Sequence, residues 1–192
     1  MVRATAELVR TKGVSATGLR EVVAVAKAPR GSLQHYFPDG KDQLVAEALT
    51  WMGQVAVRRV EKVLASLDDR RPSSLLAGTV ELWRSEFVST GYGGGCPLLA
   101  AAADVAATDD ELRSVIGAAF DGWLRSFSAA LAHTGIPPQR AESLATVVIS
   151  ALEGAIVLAR IHRDVAPLEA IARELGPLLD SAVASAGDAF EH

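Results

Sequence analysis

Apolar residues recur at steps of three and four along most of this chain, which is the spacing of an amphipathic helix. Glycine, proline and short polar runs interrupt the spacing, as they do at helix ends and turns. No run alternates apolar and polar residues in the manner of a half-buried strand. The pattern predicts an all-α protein with nine helices. Seven cover about residues 2–12, 30–36, 41–67, 73–89, 97–106, 139–162 and 167–184; one more begins after Thr17, and another begins after Thr108 and ends near Gly135.

Several predicted helix ends carry recognisable local signals. Gly13 suits the end of the first helix, because glycine readily adopts the left-handed backbone found there. Thr17 is a candidate N-cap for the second helix. Thr108 and Glu111 form a T-x-x-E capping box at the start of the seventh. These signals predict where the chain leaves one helix and enters the next.

The segment between Thr17 and Phe37 contains two short helix patterns separated by a tight break. Two helices of this length cannot bury a core by themselves, and such a pair is commonly used as a helix-turn-helix. In that motif the second helix lies in the major groove of DNA. The segment therefore indicates DNA binding by the amino-terminal part of the chain.

The charge distribution is consistent with DNA held at one end of the chain. Residues 1–50 contain seven basic and five acidic side chains, a balance of +2, whereas the whole 192-residue chain carries −4, so the remainder carries −6. A mildly basic head on an acidic body suits such a protein. The hydrophobic content of 49% favours closely packed helices over disorder.

Several classes of protein are excluded by what the sequence lacks. It contains no G-x-S-x-G, H-E-x-x-H or phosphate-loop motif, and its four histidines are scattered, so we expect no enzyme and no metal or cofactor site. The single cysteine, Cys96, excludes an internal disulfide and fits a reducing cytoplasm; a redox role for it is left open beside a structural one. No signal segment opens the chain, and the apolar segment from Leu144 to Leu158 is too short and too polar to span a bilayer. We therefore expect a cytoplasmic protein with no membrane partner.

Sequence strings in both parts of the chain carry a family resemblance. R-G-S-L-Q-H-Y-F at residues 30–37, followed by K-D-Q-L-V-A-E-A-L, resembles the TetR family of transcriptional repressors. G-G-C-P-L-L-A-A-A-A-D and S-A-L-E-G-A-I-V-L-A-R are similar to its LmrA/YxaF-like subgroup, over roughly residues 75–180. The resemblance implies a DNA-binding domain at residues 1–46 and an effector-binding and dimerisation domain at residues 47–192.

The same resemblance implies a function. Such a regulator would bind a palindromic double-stranded DNA operator as a homodimer, repress transcription, and be released by a small hydrophobic, often aromatic, effector. The sequence leaves open activation in place of repression. It also leaves open a helical small-molecule sensor or protein-interaction module without sequence-specific DNA binding.

The resemblance assigns candidate DNA contacts by position. Arg30 would read a base, and two hydrogen bonds to guanine are one option. Gln34 would read adenine or contact a phosphate, while Leu33 and Phe37 fall on the buried face of their helix. The full set of candidate contacts is Thr17, Arg30, Gly31, Ser32, Gln34, His35, Tyr36 and Lys41.

The head also departs from the family pattern at three positions. Lys27 stands in the turn where the family usually has glycine, so a left-handed backbone there would cost roughly 1–2 kcal/mol. Pro29 replaces the usual serine or threonine cap, and Gln34 stands where an aromatic residue is common. These departures bear on DNA affinity and operator sequence, and we expect none of them to break the fold.

Aromatic residues make up 5% of the chain, and several fall on the fifth and seventh predicted helices. This concentration suggests an apolar pocket, although an ordinary core would show the same pattern. Glu153, in an apolar surrounding, would hold a polar group of the ligand or form a salt bridge, for example with Arg160. The candidate ligand-binding residues are Trp83, Phe87, Phe120, Trp123, Leu124, Phe127 and Glu153.

The eighth predicted helix is apolar nearly all round, which indicates burial on every side. In a chain of this size, one face would pack on its own core and another on a second subunit. Together with the ninth helix, it would form a four-helix bundle across a two-fold axis. The candidate interface residues are Val147, Ala151, Gly154, Ala155, Leu158, Leu175 and Leu179.

Overall fold

The computed structural model describes residues 1–29 and 31–187, and all regular secondary structure within them is helical. The prediction of an all-α fold, with a helix-turn-helix at its amino end and a helical carboxy-terminal part, is confirmed. The predicted helix bounds agree with the observed ones to within three residues. The nine helices of the described residues are α1 (Val2–Lys12), α2 (Leu19–Val25), α3 (Ser32–Tyr36), α4 (Lys41–Ala65), α5 (Pro72–Thr90), α6 (Pro97–Val105), α7 (Asp110–His133), α8 (Pro138–His162) and α9 (Ala166–Gly187).

The helices are grouped into two compact units. Unit 1 contains residues 1–55 and 94–122, and unit 2 contains residues 56–93 and the described residues from 123 onward. Helices α1, α2, α3 and α6 belong wholly to unit 1, and α5, α8 and α9 belong wholly to unit 2. Helices α4 and α7 contribute residues to each. The functional boundary expected near residue 46 stays a prediction.

A small apolar core holds the amino-terminal helices of unit 1 together. Its buried members come from α1, α2, the end of α3 and α4, and Leu33 packs against it partly buried, so Leu33 and Phe37 are on the core side as predicted. Because each helix supplies only one or two of these side chains, none of them could bury an apolar face alone. The buried members are Ala4, Leu8, Val22, Phe37 and Leu44.

Unit 1 also contains a very close approach between α4 and α7. A Cβ built on Gly53 would lie 2.8 Å from the Cβ of Ala119, a separation that real side chains do not adopt. Glycine at this position therefore allows the two helices to pack nearly backbone to backbone.

In unit 2, α9 packs against both α5 and α8. The start of α5 is fixed by Asp180 of α9, whose carboxylate accepts hydrogen bonds from the Ser73 N–H at 3.0 Å and the Ser73 hydroxyl at 2.9 Å. The Arg71 guanidinium forms an ion pair with the same carboxylate. Burial by itself raises the pKa of Asp180, but the Ser73 and Arg71 donors outweigh it and hold the pKa below its ordinary value.

Two predicted helix caps are wrong. Gly18, and not Thr17, is the N-cap of α2, because the Thr17 hydroxyl donates to the Gly13 carbonyl at 2.7 Å. At the start of α7, the Asp109 carboxylate accepts the Leu112 N–H at 2.8 Å. The Thr108 hydroxyl donates instead to the Val105 carbonyl at the end of α6. In both cases the threonine closes the preceding turn as a donor and does not accept from the following helix.

The expectation that the apolar segment of α8 is too short to span a bilayer is wrong. Its 25 residues include an 18-residue window with a mean hydropathy of 1.9, so it is long and apolar enough to cross a membrane by length and composition alone. The sequence argument considered only the apolar centre of this helix, between Leu144 and Leu158, and underestimated its length. Half of the window is buried inside the protein, which is also the property of a core helix.

The cap at the start of α5 generates a stability prediction. Asp180→Ala removes the acceptor for both Ser73 donors, so we expect the free energy of unfolding to fall by about 1–2 kcal/mol. Urea denaturation followed by circular dichroism measures the change. Asp121→Ala, an exposed acid on α7, is the control and should shift the free energy by less than about 0.5 kcal/mol. Equal losses in the two variants would show that the cap adds no stability.

Candidate functional site

The turn between α2 and α3 has the left-handed backbone expected from the family pattern. Lys27 has a φ of 50°, so a non-glycine residue occupies a conformation that glycine adopts without strain. The Lys27 N–H donates to the Ala24 carbonyl at 3.1 Å, and the Ala28 N–H donates to the Val23 carbonyl at 3.1 Å. These bonds close the end of α2 and turn the chain toward α3.

Helix α3 begins two residues later than predicted, and Pro29 supplies part of its start. The Pro29 carbonyl accepts the Ser32 N–H at 3.0 Å and the Ser32 hydroxyl at 2.6 Å. Gly31 is the N-cap and is exposed. The predicted base-reading residue, Arg30, lies outside the described residues.

The five-residue helix α3 separates apolar from polar side chains. Phe37 is buried directly after it, and Leu33 packs on the same core. Gln34, His35 and Tyr36 are exposed, and Tyr36 is 63% exposed. The His35 and Tyr36 rings meet edge to face with centroids 4.8 Å apart. Three of the predicted DNA-contacting side chains therefore form one polar, solvent-facing surface.

The remaining predicted contacts, Thr17 and Lys41, lie beside the α1–α2 turn. Thr17 is 2% exposed, and its hydroxyl proton is already donated to the Gly13 carbonyl. The Lys41 ammonium is half-buried and donates to the Ser15 carbonyl at 3.3 Å. A phosphate contact donated by the Thr17 hydroxyl would replace its present hydrogen bond, whereas the Lys41 ammonium has further N–H donors to offer.

The α1–α2 turn is held by an acid from α6 that the sequence analysis missed. Asp104 accepts the Ser15 N–H at 2.7 Å with one carboxylate oxygen and the Ser15 hydroxyl at 2.9 Å with the other. The carboxylate approaches so closely that a Cβ on Gly13, whose φ is 82°, would lie 2.8 Å from it. The two partners are 89 residues apart in the chain, so no local pattern links them.

The same hydrogen bonds change the acidity of Asp104. The Ser15 N–H and hydroxyl hold the pKa of this carboxyl below its ordinary value, against the opposing effect of burial. The Val14 N–H and the positive charge of Lys41 act in the same direction as Ser15. Asp104 is therefore an ionised acceptor at neutral pH, fastened to the turn that leads into the helix-turn-helix.

These features define a class of protein. Two short helices, joined by a left-handed turn, rest on a shared apolar core and present the polar face of the second helix to solvent. This is the arrangement of a helix-turn-helix DNA-binding domain, and here it is followed by a larger, wholly helical part.

Comparison with known proteins identifies the family. Residues 2–48 match the model of bacterial regulatory proteins of the tetR family, and residues 72–174 match the LmrA/YxaF-like transcriptional regulator C-terminal domain. The chain therefore belongs to the TetR family and carries an LmrA/YxaF-like carboxy-terminal domain. It is a DNA-binding transcriptional regulator and not an enzyme, and regulators of this family bind DNA and dimerise.

Similar proteins extend over nearly the whole chain. The uncharacterized HTH-type regulator Rv0196 of Mycobacterium tuberculosis is 35% identical and covers 93% of this chain and 92% of its own. YxaF of Bacillus subtilis is 30% identical and covers 93% of each. A regulatory protein TetR from Rhodobacter sphaeroides superposes with a TM-score of 0.80, at 22% identity, over 92% of this chain and 95% of its own. That likeness shows the fold.

The predicted ligand-binding residues are distributed over both units. Phe120 belongs to unit 1, whereas the other six belong to unit 2. In unit 2, Trp83, Phe87, Trp123 and Phe127 are buried, as is Glu153. Leu124 is half-buried and lines an open groove of about 330 Å³ between α7 and α8, together with residues that include Arg125 and Glu142.

Two residues that the sequence analysis missed join the aromatic group on α5. The Tyr92 ring stacks on Phe87 with centroids 5.5 Å apart, and Phe87 in turn lies 6.2 Å from Trp83. The Arg59 guanidinium lies 5.6 Å above the Trp83 ring and pairs with Glu86 at 2.8 Å. Arg59 and Tyr92 were missed because neither lies on the apolar stripe by which the aromatic residues were selected.

The predicted interface residues separate into two sets. On α8, Val147 and Leu158 are 49% and 48% exposed and Gly154 is exposed. Ala151 of α8 and Leu175 of α9 are half-buried. Ala155 and Leu179 are 5% and 0% exposed, because they pack inside unit 2. Side chains that the protein itself covers have little area to bury against a partner, and the interface set stays a prediction.

The Asp104 contact generates a prediction about acid sensitivity. Because the folded-state pKa of Asp104 is depressed, its ionised form stabilises the fold above the ordinary pKa of aspartate, about 4, and this stabilisation is lost as the pH falls below that value. We expect Asp104→Ala to lower the free energy of unfolding by about 1 kcal/mol at pH 7 and to flatten its decline below about pH 5.

Urea denaturation at a series of pH values measures both effects. Ser15→Ala provides a double-mutant cycle: the loss of this hydroxyl should cost stability in the wild-type background and almost nothing beside Asp104→Ala. Additive losses would mean that the two side chains do not interact.

Proposed function

We propose that this regulator is a cytoplasmic homodimer that binds a palindromic operator, represses transcription, and is released by a small hydrophobic or aromatic effector. Residues 1–46 bind DNA in this proposal, and residues 47–192 bind the effector and dimerise. The observation that carries it is the exposed polar face of α3, opposite the buried Phe37 and the partly buried Leu33.

The proposed DNA contacts follow from the position of α3. Its exposed side chains, Gln34, His35 and Tyr36, offer amide, imidazole and phenol groups, which hydrogen-bond to bases or phosphates. Arg30 and Gly31 directly precede α3 in the sequence. A side chain at this end of the helix reaches base edges once α3 enters the major groove. Ser32, Thr17 and Lys41 complete the proposed contact set.

The proposed dimer covers an exposed apolar stripe on α8. Val147, Leu158 and Ile161 are about half exposed or more, with Ile161 at 67%, and Gly154 between them allows close helix approach. A stripe of this kind on a subunit surface marks a contact with another molecule. A second copy of the chain suits it, because a two-fold axis along α8 and α9 gives a four-helix bundle. Dimerisation also sets the distance between the α3 helices of the two subunits, as a palindromic operator requires.

The proposed effector site uses the aromatic group of unit 2. Trp83, Phe87, Trp123 and Phe127 supply the large apolar surface that binding of an aromatic compound requires. The buried Glu153 would orient a polar group of the effector. Leu124 lines the open α7–α8 groove, and in this proposal it only closes the edge of the effector site.

Release from DNA requires only a modest coupling between the two sites. An effector releases the regulator from DNA when it binds the DNA-free state more tightly than the DNA-bound state. The size of the shift equals the ratio of these two affinities. A coupling of about 1–3 kcal/mol corresponds to a 5- to 150-fold loss of DNA affinity, which is sufficient for regulation.

The α3 contacts generate a prediction about DNA binding. Arg30→Ala should weaken binding to the DNA upstream of the regulator's own gene by about 1–3 kcal/mol and relax base preference at one position of each half-site. Tyr36→Phe should weaken it by about 1 kcal/mol through loss of one hydroxyl contact. Fluorescence anisotropy measures the affinities, and circular dichroism checks that the variants fold.

The control is a shuffled duplex of equal length. A wild-type protein that binds both duplexes equally would refute sequence-specific regulation of this promoter and favour the alternative of a sensor that does not read DNA sequence. Unchanged affinity in the folded variants would remove Arg30 and Tyr36 from the contact set.

The exposed stripe generates a prediction about assembly. Leu158→Glu places a charge on the proposed two-fold interface, so we expect the dissociation constant of the dimer to rise at least about 30-fold, a cost of about 2 kcal/mol. Sedimentation equilibrium should then show a 20.1 kDa monomer at concentrations where the wild type is dimeric.

Val88→Glu is the matched control, because Val88 on α5 is 63% exposed and lies outside the stripe. A monomeric wild type, or one recovered with the membrane fraction, would refute the proposal that a second copy covers α8.

A further inference from the structure

Most basic side chains of the amino-terminal head already have partners within the described residues. Arg30 lies outside that range, and four of the other six are engaged. Arg3 lies 5.7 Å from the Trp51 ring, Arg10 pairs with Glu7 at 3.3 Å, Lys12 pairs with Glu21, and Lys41 donates to the Ser15 carbonyl. The charges of Arg10 and Lys12 are partly neutralised by a carboxylate, and Arg3 and Lys41 each contact a neutral group of the protein.

Arg20 and Lys27 differ from the other basic side chains of the head in their contacts. Both are exposed, and neither forms an ion pair or a side-chain hydrogen bond with any residue that the structure describes. Arg20 lies in the first turn of α2, and Lys27 follows the end of the same helix. The head therefore carries two cations with no counter-ion among the residues that the structure describes.

The two cations share a groove. They line one concave surface of about 830 Å³ with apolar residues of α2 and with Leu33 of α3. Arg20 belongs to α2, and Lys27 belongs to the turn that follows this helix. The apolar floor, to which Leu19, Val23, Ala24 and Ala28 contribute, can support the long side-chain stems while the charged ends stay in solvent.

The backbone conformation of Lys27 is unfavourable for a lysine residue. At a φ of 50°, a lysine is strained where glycine or asparagine is not. Glycine would give the same turn at lower cost, so the fold itself does not require lysine here. What lysine adds at an exposed site is a positive charge, and strain of this kind concentrates where function requires it.

We propose that Arg20 and Lys27 form a cation pair that binds the phosphate backbone of the bound duplex alongside α3. The ligand class is a polyanion with closely and regularly spaced charges, which suits two cations that line one groove. Leu33, which also lines it, places the groove next to α3. The contact adds affinity without sequence preference, because phosphates are the same at every base pair. The inference rests on the proposed placement of α3 in the major groove.

The test separates the charge of Lys27 from its strain. Lys27→Gly and Lys27→Asn relieve the strain and remove the charge, whereas Lys27→Arg keeps both. Arg20→Gln removes the other cation. Lys62→Gln, an exposed lysine of α4 outside the head, removes one charge elsewhere and controls for net charge. Anisotropy titrations of the full chain use two duplexes, the fragment upstream of its own gene and a shuffled one, at several salt concentrations.

We expect Lys27→Gly to raise the Tm by roughly 2–4 °C and yet to bind DNA more weakly. The slope of log affinity against log salt should become shallower by about one for each bound head, with roughly fivefold lower affinity per head at 0.15 M salt. Lys27→Asn and Arg20→Gln should show similar slopes to Lys27→Gly. Lys27→Arg and Lys62→Gln should keep the wild-type slope.

Two results would overturn the inference. One is a Lys27→Gly protein whose affinity and salt slope equal those of the wild type. The other is a Lys27→Arg protein that loses as much affinity as Lys27→Gly, since the charge would then be irrelevant. If the wild type does not prefer the promoter fragment, the operator proposal fails, but the slopes on the shuffled duplex still decide the roles of Arg20 and Lys27.

Discussion

The proposed DNA-binding surface depends on one packing constraint, the burial of Phe37 and the partial burial of Leu33 against a very small core. That core takes side chains from α1, α2 and α4, so α3 is positioned by all of them at once. With only five residues, α3 has too few internal hydrogen bonds to be stable alone. Its rotation is therefore set by Phe37 and Leu33, and that rotation turns Gln34, His35 and Tyr36 outward.

Electrostatic contacts hold the edges of this head in addition to its apolar core. Asp104 reaches from α6 to the α1–α2 turn and satisfies the Ser15 N–H as well as its hydroxyl. In unit 2, Asp180 does the same for the start of α5 through Ser73. In both places a carboxylate from a distant helix accepts the N–H and the hydroxyl of one serine, and at Ser73 that N–H is one of the free donors of a helix start. Asp180 thus fixes the start of α5, whereas Asp104 fixes the turn between α1 and α2.

Helix α8 combines two burial environments on one sequence. Leu152 and Ile156 face the interior of unit 2, and Leu158 and Ile161 face outward. Residues of both kinds are equally apolar, so composition cannot distinguish the core face from the face proposed to meet a second copy. The same property lets α8 satisfy a membrane-span criterion by length and hydropathy while half of it is buried in the protein.

The sequence by itself was sufficient to predict the helical class and the helix bounds to within three residues. These properties depend on interactions between residues three or four apart, or on a single residue's backbone preference, and such signals can be read locally. The family strings added the identity of the reading helix. Tertiary structure decided the contacts of Asp104 with Ser15 and of Asp180 with Ser73, which span 89 and 107 residues. It also decided that Ala155 and Leu179 point inward and that Thr17 is buried, because the burial of a side chain depends on which distant helix covers it.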